Sequence, residues 1–131
     1  MLSLFRPKKR SIFGVHDPVG LRYLFQLRVG LSPLRSHKMQ HNFADICSEN
    51  CLCERGVEDT RHFLLLCPYY ATQRATLISS VNEILLNNNL PPFENQMQLL
   101  LYGHDPLNDG DNKKILLATL KYIKDTRRFS T

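Results

Sequence analysis

A chain of 131 residues with 43% hydrophobic and 22% charged side chains has the make-up of one compact globular domain, which excludes general disorder. No apolar run approaches the ~20 residues that cross a bilayer, and Met1 to Phe5 is followed at once by Arg6, Lys8, Lys9 and Arg10, where a signal peptide would continue apolar. An intracellular protein of nucleus or cytoplasm is therefore expected, with no membrane association. The formal charge of +5 hides a partition: residues 1–40 hold eight basic and one acidic residue, 41–111 three and ten, and 112–131 six and one. Basic ends of this kind draw a polyanion such as nucleic acid, although a solubilising surface accounts for the charge equally well.

Residues 1–14 read as a basic, flexible arm, in which Pro7-Lys8-Lys9-Arg10 also has the form of a nuclear-localisation signal. Asp17-Pro18 supplies an N-cap followed by proline at the first helical position, Leu21, Leu24, Phe25 and Arg28 follow at helical spacing, and Gly30 stops the run. This predicts a helix over about 18–28. Ser32-Pro33 repeats the start signal ahead of Leu34 and Met39, predicting a second, short helix. Residues 44–60 have no sustained period and contain Ser48, Asn50, Gly56 and Asp59, so they turn about something other than an apolar core. Asp59 or Thr60 can cap a short helix carrying His62 to Leu66, which Pro68 ends. From near Pro68, the positions Tyr70, Leu77, Ile78, Val81, Ile84 and Leu85 mark a long amphipathic helix. After the Asn87-Asn88-Asn89 and Pro91-Pro92 break, residues 93–102 suit a short helix ended by Gly103. A turn through Asp109-Gly110 leads to a last helix over about 112–128, with Ile115, Leu116, Leu120 and Ile123 inward. The predicted fold is a small all-α, mostly helical domain with a zinc knuckle and at most one short β-hairpin. Residues 15–89 form the metal-binding domain, and 90–131 a helical extension packed on it.

All four cysteines lie within residues 47–67, and in a reducing compartment clustered thiols point to metal or catalysis rather than disulfides. The string from Cys51 to Cys67 reads Cys-x-Cys, eight residues, His62, four residues, Cys67. Three thiolates and one imidazole make the closed set of four that structural Zn²⁺ prefers, with no position left for a reactive water. Gly56 lets the chain turn back after the first pair. His62 and Cys67 stand about 140° apart on a continuous α-helix, so that helix must end before both face one ion. Buried reduced cysteines beside a surface histidine form the plain alternative, and Cys47 could replace Cys51 in the set. His37 and His41 read as surface or nucleic-acid-facing residues. No paired carboxylates, phosphate-cradling glycine loop or nucleophile with its base can be assembled, so no enzyme activity and no small-molecule substrate are expected.

The string Leu27 to His37, the Cys-x-Cys pair, and Glu58-Asp59-Thr60-Arg61-His62-Phe63-Leu64-Leu65-Leu66-Cys67-Pro68-Tyr69-Tyr70 together resemble the zinc-binding region at the C-terminal end of reverse transcriptases from non-LTR (LINE-type) retrotransposons. The matching stretch covers about residues 12–86. The resemblance implies Cys51, Cys53, His62 and Cys67 as zinc ligands and a role in holding template RNA or target DNA beside a polymerase. The polymerase and endonuclease motifs of that family are absent. The knuckle itself is acidic, so contacts to RNA or single-stranded DNA are expected from Arg22, Arg28, Arg35, Lys38, Lys121, Lys124, Arg127 and Arg128, with low sequence specificity. A rival reading docks the apolar faces of 12–34 and 93–123 on the missing polymerase, which would leave Phe13, Leu24 or Leu100 exposed. A remnant without function is the third reading.

Overall fold

The computed structural model describes residues 12–130; the basic run from Arg6 to Arg10 and the terminal Thr131 lie outside them. The described chain is helical, with α1 at Pro18–Val29, α2 at Arg35–Gln40, α3 at Ala71–Asn87, α4 at Met97–Tyr102 and α5 at Asp109–Thr126. Among the described residues, β-structure is confined to one antiparallel bridge between Asn50 and Val57. No helix is long and apolar enough to cross a membrane.

Local chemistry sets each helix end. The Asp17 carboxylate accepts from the Gly20 backbone at 3.0 Å, Pro18 occupies the first helical position, and Gly30 ends α1 in the left-handed region at φ 76°. The second helix begins at Arg35, later than Ser32-Pro33 predicts, because its first amides are met from outside by Glu58. The Asp109-Gly110 pair, predicted to turn, forms the first turn of α5. Asn108 accepts from Asp111 N–H there, and Asp109 and Asp111 complement the helix dipole. That helix ends at Thr126, since Arg127 turns left-handed at φ 58°. Residues 93–96, predicted helical, are not: Phe93 donates its backbone N–H to Asn82 Oδ1 at 2.7 Å and buries its ring, and only 97–102 coil.

Helix α5 is the hub, packing on α3 most extensively and on α1 and α4 as well. Ile115, Leu116, Leu120 and Ile123 are fully buried and meet Leu24 of α1, Leu77, Val81 and Leu85 of α3, and Leu100 of α4 in one continuous core. Residues 90–130 share this core through α4 and α5. Helix α1 approaches closely at Gly20, where a Cβ would fall 2.9 Å from Leu120 Cδ1. Thr119 Oγ1 donates to Leu100 O at 2.9 Å, and buried Asn112 ties down the 103–108 loop through His104 and Leu107. The three residues named as signs of the docking reading are covered, while Val19, Phe25, Val29 and Leu31 of the same stretch are exposed. Leu24 and Leu100 are wholly buried and Phe13 packs on the core, because α1, α4 and α5 cover one another.

Candidate metal centre

Two short pieces of chain bring the four ligand candidates together. In the first, Cys51 O accepts from Glu54 N–H at 2.9 Å and Cys51 N–H donates to Gly56 O at 2.7 Å, which closes a tight loop around Cys51 to Cys53. Glu54 at φ 63° and Gly56 at φ 148° take the conformations this loop demands. A Cβ at Gly56 would sit 3.7 Å from His62 Nδ1, so the glycine also lies against the imidazole. The Asn50–Val57 bridge and the bond from Glu58 N–H to Glu49 O, 2.8 Å, seal the hairpin.

In the second piece, Asp59 Oδ1 accepts from His62 N–H at 2.8 Å and starts a single π-helical turn over His62–Leu66. Cys67 N–H closes it by donating to His62 O at 2.8 Å, an i to i+5 bond. This is how residues five apart come to face one point: the wider turn replaces the α-helix whose 140° offset would have separated them, and Cys67 leaves it extended at ψ 123°. The orphan carbonyls of the turn find partners in the helical body. Tyr122 Oη donates to Phe63 O, and Arg74 donates to Leu64 O and Cys67 O. Phe63, Leu64 and Leu65 are buried, and the Phe63 ring packs against Tyr70, Tyr122 and Phe129 at 5.3–5.5 Å between centroids.

The ligand atoms of Cys51, Cys53, His62 and Cys67 all lie within 4.8 Å of one another and can hold a metal ion. Cys51 Sγ is 3.8 Å from Cys67 Sγ, and Cys53 Sγ is 3.2 Å from His62 Nε2. Metal–sulfur bonds of about 2.3 Å in a tetrahedron put sulfurs about 3.8 Å apart, so the spacing matches a four-coordinate ion. Burial pushes the Cys51 thiol up to about 12 and also raises Cys67. The shift is opposite to that of a nucleophilic cysteine, and a cation at the centre is what would make thiolates of these groups. Cys47 is exposed and stands outside the group.

Glu58, which the sequence reading counted only as negative charge, joins this centre to the body. It is 3% exposed, accepts Arg35 N–H through Oε1 at 2.8 Å and Ser36 N–H through its backbone oxygen at 3.0 Å, and thereby caps α2. Arg128 meets its carboxylate in a bidentate pair, Nε to Oε2 and Nη2 to Oε1, both 2.7 Å, and also donates to Pro33 O. The pair holds the Arg128 guanidinium above its ordinary pKa. Beside it His37, expected at the surface, is buried. Its Nδ1 faces the Ser32 N–H at 3.2 Å and hydroxyl at 2.6 Å, and its Nε2 faces Thr60 Oγ1 at 3.3 Å.

The basic residues proposed for nucleic acid fall into two groups. Arg28 donates to Leu101 O at 2.8 Å and lies over the Tyr102 ring at 4.5 Å, bracing α1 against α4, and Arg128 is engaged as described. Lys38 pairs with Asp45, Lys121 with Asp125 and Lys124 with Asp17, all in exposed or half-exposed settings worth little each. Arg22 and Arg127 are exposed. Lys124 and Arg127 come together in an open cleft of about 480 Å³ with Thr72, Gln73, Thr76, Asp125 and Ser130. Arg35 lines a separate, smaller cavity beside the Cys51–Cys53 turn.

No family model, no curated protein and no solved structure matches this chain.

Proposed function

We propose that the chain is a non-catalytic module in which one Zn²⁺, held by Cys51, Cys53, His62 and Cys67, fixes a surface that binds RNA or single-stranded DNA. It would serve beside a polymerase of the retrotransposon type that its sequence resembles. The observation that carries the proposal is the four-ligand group itself, with its ligand atoms within 4.8 Å of one another. The thiolate-rich donor set favours zinc among the common divalent ions. The cleft holding Lys124 and Arg127 beside hydroxyl and amide side chains supports phosphate contact, with its one carboxylate, Asp125, already paired with Lys121.

Metal analysis of the purified chain tests the first half. One zinc per chain is expected, retained in Cys47→Ser and lost in Cys51→Ser; the reverse pattern would overturn the ligand set. The second half is tested by titrating a labelled oligonucleotide at several salt concentrations. Affinity should fall steeply with salt and weaken on charge reversal at Lys124 and Arg127, and a salt-independent affinity would end the nucleic-acid reading.

A further inference from the structure

The cavity beside the metal centre has features that the phosphate-binding reading does not use. It measures about 270 Å³, just below the ~300–1,000 Å³ of pockets for drug-sized ligands. Its walls include Arg35, Leu52, Tyr69, Tyr70, Glu58 and Arg128, with Cys51 at one side. Leu52 is 69% exposed and Tyr69 60%, so both offer apolar surface at its rim. The Tyr69 hydroxyl donates to Leu52 O at 2.9 Å, so the ring is fixed by its tip while much of its surface stays open. Arg35 Nε is the one buried side-chain polar atom among the described residues that lacks a hydrogen-bond partner. A buried donor left without a partner is costly, so an acceptor brought to the Arg35 guanidinium would gain by it.

The charges select the kind of acceptor. Arg35 and Arg128 are positive, whereas Glu58 is negative and three thiolates on one divalent ion leave a centre of charge −1. The surroundings are therefore close to neutral, and a phosphate gains little here over water. A flat, neutral ring with a carbonyl on its edge gains on two counts, by stacking on Tyr69 against Leu52 and by accepting from Arg35. Resting on the proposed nucleic-acid function, we infer that this cavity takes one unpaired nucleobase, preferring guanine, while the phosphates on either side are met by the Lys124–Arg127 cleft. Guanine is favoured because its O6 and N7 acceptors suit an arginine, whereas adenine places a donor beside N7. The two sites are neighbours along the chain: Tyr69 and Tyr70 precede Thr72 and Gln73, and Arg127 precedes Arg128.

The test uses the full zinc-loaded chain and two labelled octanucleotides, all adenine and adenine with one central guanine, with affinity read by anisotropy. The guanine oligonucleotide should bind roughly five- to tenfold tighter. Arg35→Gln, which keeps the backbone bond to Glu58, should abolish that preference. Tyr69→Ala should weaken both oligonucleotides about tenfold, and Tyr69→Phe, which retains the ring, much less. Arg127→Gln should weaken both equally and lower the salt slope by about one. Zinc content of one per chain certifies each variant as folded at the site. If Arg127→Gln acts while Arg35→Gln and Tyr69→Ala change nothing, the base pocket is wrong and the phosphate-binding function stands. If neither oligonucleotide binds, both readings are overturned. An acidic peptide that displaces the guanine oligonucleotide from wild type but not from Arg35→Gln would make the occupant a carboxylate and refute the nucleobase.

Discussion

Residues 49–67 and the helical body hold their shapes by different physics. The body, α1 with α3 to α5, buries Leu24, Leu77, Val81, Leu100, Ile115, Leu116 and Leu120 in one continuous core, and its stability scales with that apolar area. The hairpin from Glu49 to Glu58 contributes almost no apolar side chain to the core, and Leu52 points away from it. What orders the hairpin is a handful of backbone bonds, one buried carboxylate and the convergence of four ligand atoms. Hydrophobic area gives graded stability that survives the loss of any one residue. A polar cage of this sort is closer to all-or-none, because every member is fixed by the others.

Removing the metal should break the comparison most visibly. Structural zinc contributes on the order of 10 kcal/mol of binding free energy, far above any single contact in the chain. Chelation, or Cys67→Ser, is expected to abolish hydrogen-exchange protection at Cys51, Glu58 and Cys67 while amides of α3 and α5 stay protected. Melting of α3 and α5 together with the hairpin would show instead that the chain has one cooperative unit. Glu58→Ala comes next, since this residue is the bond between the two regions. It leaves the half-buried Arg128 guanidinium without its carboxylate and strips the first amide of α2, Arg35 N–H, of its acceptor. Breaking a buried pair costs ~3–5 kcal/mol; with Arg128 about one quarter exposed, a loss of about 2–4 kcal/mol is expected in denaturant unfolding. Gly20→Ala strikes the body alone. The added methyl meets Leu120 and the Asp17 side chain at under 3 Å, so about 1–3 kcal/mol of stability should be lost with zinc content unchanged.

The same division explains what could be read in advance. Helix α1 announces itself through a cap and an apolar period and α3 through its period alone, all local properties of sequence, and the ligands are visible because cysteine and histidine at short spacing have few other uses. The Glu58–Arg128 pair joins residues seventy apart, and no local pattern marks either one. Counting charges could not reveal the pairing, since it took Glu58 and Arg128 as separate surface charges. The π-helical turn was hidden for a different reason. His-Phe-Leu-Leu-Leu has an ordinary helical composition, and the wider turn is sustained by Tyr122 and Arg74 reaching its carbonyls from distant helices. Phe93 stayed out of its predicted helix because the Asn82 side chain takes its amide, again a contact between elements.

The smallest expected effect sharpens the border between the two regions. Burial holds His37 below its ordinary value of 6.5, with Asp59 and Glu58 pulling it part of the way back. The neutral ring is the one that fits: Leu34 N–H donates to Ser32 Oγ, so that hydroxyl donates onward to His37 Nδ1, which also faces the Ser32 N–H. A proton on Nδ1 would confront two donors. Above pH 6.5 both folded and unfolded chains carry neutral His37 and its contribution is complete. As pH falls below 6.5 the unfolded chain takes up the proton first, so stability is lost toward the lower folded value. His37→Asn removes the titration and keeps an acceptor near the position of Nδ1. At saturating zinc, the Tm advantage of wild type over this variant should therefore shrink from pH 7.5 to 5.5. A constant difference across that range would mean that His37 keeps its ordinary affinity for protons.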